Sequence, residues 1–184
     1  NEIREIIIKE HNGLYEDLIL DLINKVKIFG FHFASLDIRQ DSRIHSKVFE
    51  EIISHPNTSK YFNKSFDQYM KMNVDGKLVF LSSLKGNVPS SIFKKGLALE
   101  TLKSIEAMKL IQKNNGEKGS NRYIISNCQS TQNVLELFAL TRLCNWEKPK
   151  IDIIPLFETI NDLEVCGEVM KSLYENKEYI KHLG

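Results

Sequence analysis

Apolar residues recur at helical spacing at Leu14, Leu18 and Leu22, with Ile19 and Ile23 beside them, which predicts an amphipathic helix from Leu14 to Lys27. Gly30 then introduces an aromatic, apolar run, "IFGFHFASL", that predicts a first strand carrying His32 inside it. That strand runs without a break into Asp37, Arg39, Gln40, Asp41 and Ser42. Either Asp41 or Ser42 can cap the helix predicted by "RIHSKVFEEII", which carries His45 and stops at His55-Pro56-Asn57. Two shorter helical pieces follow, 59–72 and 76–84, although "KLVFL" taken alone also fits a strand. The Gly, Pro and Ser of "SSLKGNVPSS" mark a loop, and 91–113 is the longest helical pattern. "RYIIS" and "IDIIPLFE" read as buried strands. Ser130 caps a helix through Val134, Leu137, Phe138 and Thr141 to Cys144. After the last strand, "NDLE" offers an Asn-x-x-Glu cap to a helix with Leu163, Cys166, Met170, Leu173 and Tyr174 on one face.

Strands alternating with helices predict β-α-β units and a parallel sheet. The expected fold class is helix-rich α/β with about three parallel strands. A complete (β/α)8 barrel typically needs about 250 residues, so three units with a helical insertion at about 47–121 point to a partial (β/α)8 TIM-barrel segment. No internal repeat or linker divides 1–184, which is expected to be a single segment of a larger barrel. The opening "NEIREIIIKE" is already helix-like and the closing "YIKHLG" ends where a helix would stop, which also suggests a piece of a longer protein.

Composition narrows the partners. Of 184 residues 42% are hydrophobic, enough for a sizeable core, and the net charge is +1, so no overall field favours nucleic acid or an anionic membrane. The longest apolar runs fall far short of the ~20 residues that span a bilayer. Cys128, Cys144 and Cys166 are odd in number and far apart, which fits reduced thiols and a cytoplasmic setting better than disulfides or a zinc site.

Ligands in parallel α/β folds bind at the carboxyl ends of the strands, where loops and helix N-termini converge. The three strand ends read "DIRQDS", "SNCQS" and "FETIND". Asp37 and Arg39 share a face of an extended strand, and their spacing favours a local ion pair. The functional alternative is a guanidinium fork that grips a phosphate or carboxylate, a role that suits Arg better than Lys. Glu158, directly after a buried strand, is either a solvated helix-start acid or a hard-cation ligand for Mg²⁺ or Mn²⁺. On pattern alone His32 and His45 read as packing or hydrogen-bonding residues. Ser126 and Ser130 lack a neighbouring His-acid pair, and no Gly-rich phosphate loop or paired-His motif occurs.

"LDIRQDSRIH" resembles the Asp-Ile-Arg-Gln-(Glu/Asp)-Ser-x-x-His segment of the phosphoenolpyruvate carboxylase family. "YIIS" is similar to that family's Tyr-Val-Ile-Ser segment, and "PLFETINDL" to its Pro-Leu-Phe-Glu-Thr-x-Asp-Asp-Leu stretch. The resemblance implies a (β/α)8-barrel lyase, homotetrameric and cytoplasmic, that fixes carbon by joining phosphoenolpyruvate and bicarbonate into oxaloacetate and phosphate with Mg²⁺ or Mn²⁺. It implies that Arg39 is the catalytic arginine that binds the substrate phosphate and that Glu158 is a metal ligand. The family has Arg where this chain has Ile44, and Asp where it has Asn161. Its second metal carboxylate, its catalytic His and its Gly-rich Arg loop are absent from these residues. The segment alone is therefore expected to be inactive without the remainder of the parent chain. The contrasting expectation is a non-catalytic α/β assembly module whose polar strand ends are only helix caps.

Overall fold

The computed structural model describes residues 2–30 and 32–184. The elements run α1 (Glu2–Glu10), α2 (Glu16–Phe29), β1 (Ile38–Asp41), α3 (Ser42–Ser54), α4 (Phe66–Met70), α5 (Val74–Ser83), α6 (Leu97–Asn115), β2 (Arg122–Ser126), α7 (Thr131–Leu143), β3 (Asp152–Pro155), α8 (Ile160–Glu175) and α9 (Lys177–Leu183). The three strands form one parallel sheet in the order β1-β2-β3, which bears out the helix-rich α/β class and the strand number.

The register explains how the sheet is buried. Arg39 lies opposite Ile124, which lies opposite Ile154, while Ile38, Tyr123 and Ile153 occupy the alternate positions. Tyr123, Ile125 and Ile153 point to the helical side and are buried. On the opposite face Ile124 and Ile154 are only half-buried and Arg39 is exposed. The helical side is centred on α7, in which every residue from Val134 to Leu143 is buried. Helices α3, α5, α6 and α8 pack around it.

The first strand is far shorter than its aromatic run suggests. Helix α2 continues through Val26 to Phe29, and Gly30, at φ +49°, closes it by donating its N–H to the Val26 carbonyl. His32 sits in the turn beyond rather than in a strand, and Phe31, expected in the same strand, lies outside the described residues. A strand persists only where a neighbour offers a ladder, and β2 does not begin until Arg122, after a 3-10 turn at Glu117–Gly119. The chain before β1 is tied to that turn instead, Leu36 N–H to the Gly119 carbonyl at 3.1 Å and Ser35 Oγ to the Lys118 carbonyl at 2.7 Å.

Other boundaries move for local reasons. The stretch expected as one helix from 59 to 72 is a 3-10 turn at Pro56–Tyr61 followed by α4, because Ser65 and Gln68 form a capping box that starts a new helix. "KLVFL" is helical within α5, which Asn73 caps. Gly96, at φ +101°, delays α6 to Leu97. Helix α8 is capped by Thr159 with Asp162, two residues earlier than the expected Asn161 with Glu164. Its buried residues are Asp162, Val169 and Leu173, while Leu163 and Tyr174 are 57% and 54% exposed.

His45 is fully buried on α3, its Nε2 3.2 Å from the Tyr123 hydroxyl and its Nδ1 without a hydrogen-bond partner among the described residues. Burial pushes its pKa down to about 4, against a weaker upward pull from the Asp41 carboxylate. Above the unfolded value of about 6.5 the ring is neutral in both states; below it the unfolded chain binds a proton that the folded chain refuses. Stability is therefore expected to fall as pH drops from 6.5 to 4, by about 3 kcal/mol from this residue. Urea denaturation across that window checks this, because His45→Gln should flatten that component; identical pH profiles would refute it.

Candidate functional site

The carboxyl ends of all three strands meet at one edge of the sheet. β1 delivers Arg39 and Asp41, β2 delivers Ser126 and Asn127, and the segment after β3 delivers Glu158. Arg39 Nη2 donates to Glu158 Oε1 at 2.7 Å, joining residues 119 apart in sequence. Glu158 Oε2 accepts the Asn127 N–H at 2.9 Å. Behind it, Asp162 Oδ2 accepts the Glu158 and Thr159 N–H groups at 3.2 and 3.0 Å. These backbone hydrogen bonds, Thr159 foremost, lower the Asp162 pKa, so its carboxylate stays charged while it holds the turn.

The local Asp37–Arg39 pair suggested by spacing does not form. Asp37 instead accepts Arg122 Nε at 2.8 Å, across the β1–β2 ladder. Asp41 caps α3 by accepting the Arg43 N–H at 2.8 Å and also binds the Arg43 side chain, which lowers its pKa. Arg39 is thus left to Glu158. Their side chains are 58% and 40% exposed, so the pair contributes only about 0–1 kcal/mol to stability. Both groups can exchange partners at little cost to the fold.

Glu158 offers a hard, partly exposed carboxylate of the kind Mg²⁺ or Mn²⁺ accepts, and Arg39 places a guanidinium beside it. This donor set fits one protein ligand of such a cation, with further ligands left to water and substrate. Among the described residues no group of three or more His, Cys, Asp or Glu forms a closed metal cage. His32 lies away from this edge, its Cβ against Gly119, and His45 is sealed in the core. The three cysteines are free thiols, as expected; burial pushes Cys128 up to about 11 and Cys144 up to about 12, so neither supplies a thiolate. A cavity of about 640 Å³ lies at the opposite end of the sheet near Asn121 and Asp152, and the Lys85, Lys150 and Arg142 charges lining it already face Glu147, Glu117 and Glu178.

Sequence reasoning named Arg39 and Glu158 but missed Asn127 and Asp162 as their support. For Asn127 the available signal was an Asn directly after a strand, a residue type that tolerates the left-handed conformation it adopts at φ +53°.

Fold and site together define an α/β protein with a cationic and carboxylate pair at the carboxyl edge of a parallel sheet. Residues 3–184 match the family described as phosphoenolpyruvate carboxylase, and the chain belongs to that family. It is 32% identical over 169 residues to a phosphoenolpyruvate carboxylase of Prochlorococcus marinus (strain MIT 9215), covering 89% of this chain and 17% of the relative. It is 29% identical over 163 residues to that of Synechococcus sp. (strain WH7803), covering 86% and 16%. The chain spans about a sixth of the length of the curated relatives it matches. Among the described residues no helix is long and apolar enough to cross a membrane.

Proposed function

We propose that this chain is one part of the (β/α)8 barrel of a phosphoenolpyruvate carboxylase, which forms oxaloacetate and phosphate from phosphoenolpyruvate and bicarbonate. The observation that carries the reading is the meeting of Arg39 and Glu158 at 2.7 Å on the carboxyl edge of the sheet. Parallel sheets are ordinarily covered on both faces, and here Arg39 is exposed and Ile124 and Ile154 only half-buried on one face, so among the described residues that face is left partly open. A barrel interior closed by further strands of the parent chain accounts for that open face.

In this reading Glu158 holds Mg²⁺ or Mn²⁺ through its carboxylate, and Arg39 holds the substrate phosphate in its fork. The bound cation supplies stabilisation of negative charge on the enolate oxygen. Arg39 keeps the phosphoryl group oriented as bicarbonate attacks it, giving carboxyphosphate and the enolate of pyruvate, and its fixed charge meets the charge that develops on phosphate oxygens. The enolate then takes up the carboxyl carbon, and phosphate is released. The parent protein is a homotetramer in this proposal, and the free thiols support a cytoplasmic setting.

One guanidinium and one carboxylate are too few to hold a trianionic substrate and a hydrated cation. The purified chain alone is expected to form no oxaloacetate from phosphoenolpyruvate, bicarbonate and Mn²⁺, whereas the full-length protein that carries it turns over. Oxaloacetate is read by coupled reduction with malate dehydrogenase. Turnover by the chain alone would overturn the inactivity, and an inert full-length protein would favour a non-catalytic assembly module.

A further inference from the structure

We infer that Asn127 and Ser42 are positioning residues for the Glu158 carboxylate, linking the ends of all three strands into one support; this rests on the reading of Glu158 as a divalent-cation ligand. Asn127 sits just past β2 with φ +53°, a backbone conformation that costs most residues roughly 1 kcal/mol and Asn less. That reversal lets two consecutive N–H groups face the segment after β3. The Asn127 N–H donates to Glu158 Oε2 at 2.9 Å, and the Cys128 N–H donates to the Leu156 carbonyl at 3.1 Å.

Ser42 holds the same peptide from the other side. It is 2% exposed at the start of α3, and its Oγ donates to the Asn127 carbonyl at 2.6 Å. A single peptide group, the Asn127 carbonyl with the Cys128 N–H, therefore connects the end of β1 to the backbone beyond β3. The N–H just before it fixes one carboxylate oxygen. Glu158 Oε2 is anchored, and Oε1 is the end presented toward Arg39. A carboxylate pinned by one oxygen keeps a defined direction for the other, which is what an outer hydrogen bond does for a metal ligand. The Asn127 side chain is not required for this; its backbone conformation is.

The test measures Mn²⁺ binding to the full-length protein without substrate, by electron paramagnetic resonance, which reads both free Mn²⁺ and the symmetry of the bound ion. Asn127→Val resists the left-handed conformation and should weaken Mn²⁺ binding about 10-fold, with a changed bound-ion spectrum. Asn127→Gly keeps both the conformation and the N–H and should bind within about twofold of wild type. Ser42→Ala should weaken binding by about 10-fold as well, and Ser42→Thr should restore it. Glu158→Gln is the control. If it loses Mn²⁺ while Asn127→Val and Ser42→Ala bind with wild-type affinity and spectrum, the positioning roles are overturned. If Asn127→Gly loses as much as Asn127→Val, the backbone role is overturned in favour of the side chain. If Glu158→Gln itself binds normally, the metal reading falls and the inference with it. Should Asn127→Val fail to fold, Ser42→Ala and its Thr rescue decide the outcome alone.

Discussion

Replacing Glu158 by Gln in the full-length protein is expected to lower kcat/KM for phosphoenolpyruvate about 10²-fold or more and to raise the Mn²⁺ concentration needed for half-activity. Gln keeps the shape and still offers an oxygen to the Asn127 N–H, so the substitution removes charge with little else. A cation stabilising transition-state charge is worth several kcal/mol, and about 1.4 kcal/mol is tenfold in rate, which sets that scale. Arg39→Lys is the companion measurement. It keeps the charge but loses the planar fork, so it should act on phosphoenolpyruvate binding far more than on Mn²⁺ binding. Stability should not explain either loss, since the exposed pair contributes only about 0–1 kcal/mol and thermal midpoints should stay close to wild type. Wild-type kinetics in both variants would end the assignment of roles to this edge of the sheet.

What was readable from sequence at this edge was residue type, and what was not readable was partnership. "RYIIS" and the Ser130 cap were legible because β-branched residues and a side-chain cap act within a few positions of themselves. The Arg39–Glu158 contact spans 119 residues and depends on three strands lying in register, so no local spacing encodes it. The same blindness made Asp37 look like the partner of Arg39, when the neighbouring strand supplies Arg122 at 2.8 Å. The overlong first strand has a related cause. The run from Ile28 to Leu36 has strand-like composition, but pairing is a property of two segments, and β2 begins too late to pair with it. Capping boxes failed differently: Thr159 with Asp162 and Asn161 with Glu164 start two residues apart, and the structure takes the first, which buries Asp162 and leaves Glu164 in solvent.

That choice sets up a sharp stability contrast between two leucines. Leu137, fully buried on α7, and Leu163, on α8, both look like core leucines from helical spacing. Leu137→Ala should cost about 2–5 kcal/mol, since it removes buried methyl groups and leaves a cavity where α3, α5 and α8 close around α7. Leu163→Ala should cost no more than about 0.5 kcal/mol, as a surface substitution. The difference follows from the cap. Asp162 turns inward to accept the Glu158 and Thr159 N–H groups, and the next residue on a helix lies about 100° round, which carries Leu163 outward. Urea midpoints of the two variants at pH 7 measure the contrast, and equal losses would mean that α8 docks in another rotation. Because the inward Asp162 is also what ties down the Glu158 backbone, such a rotation would displace the carboxylate from Arg39 as well, so the two leucines report on the geometry of the site as much as on the core.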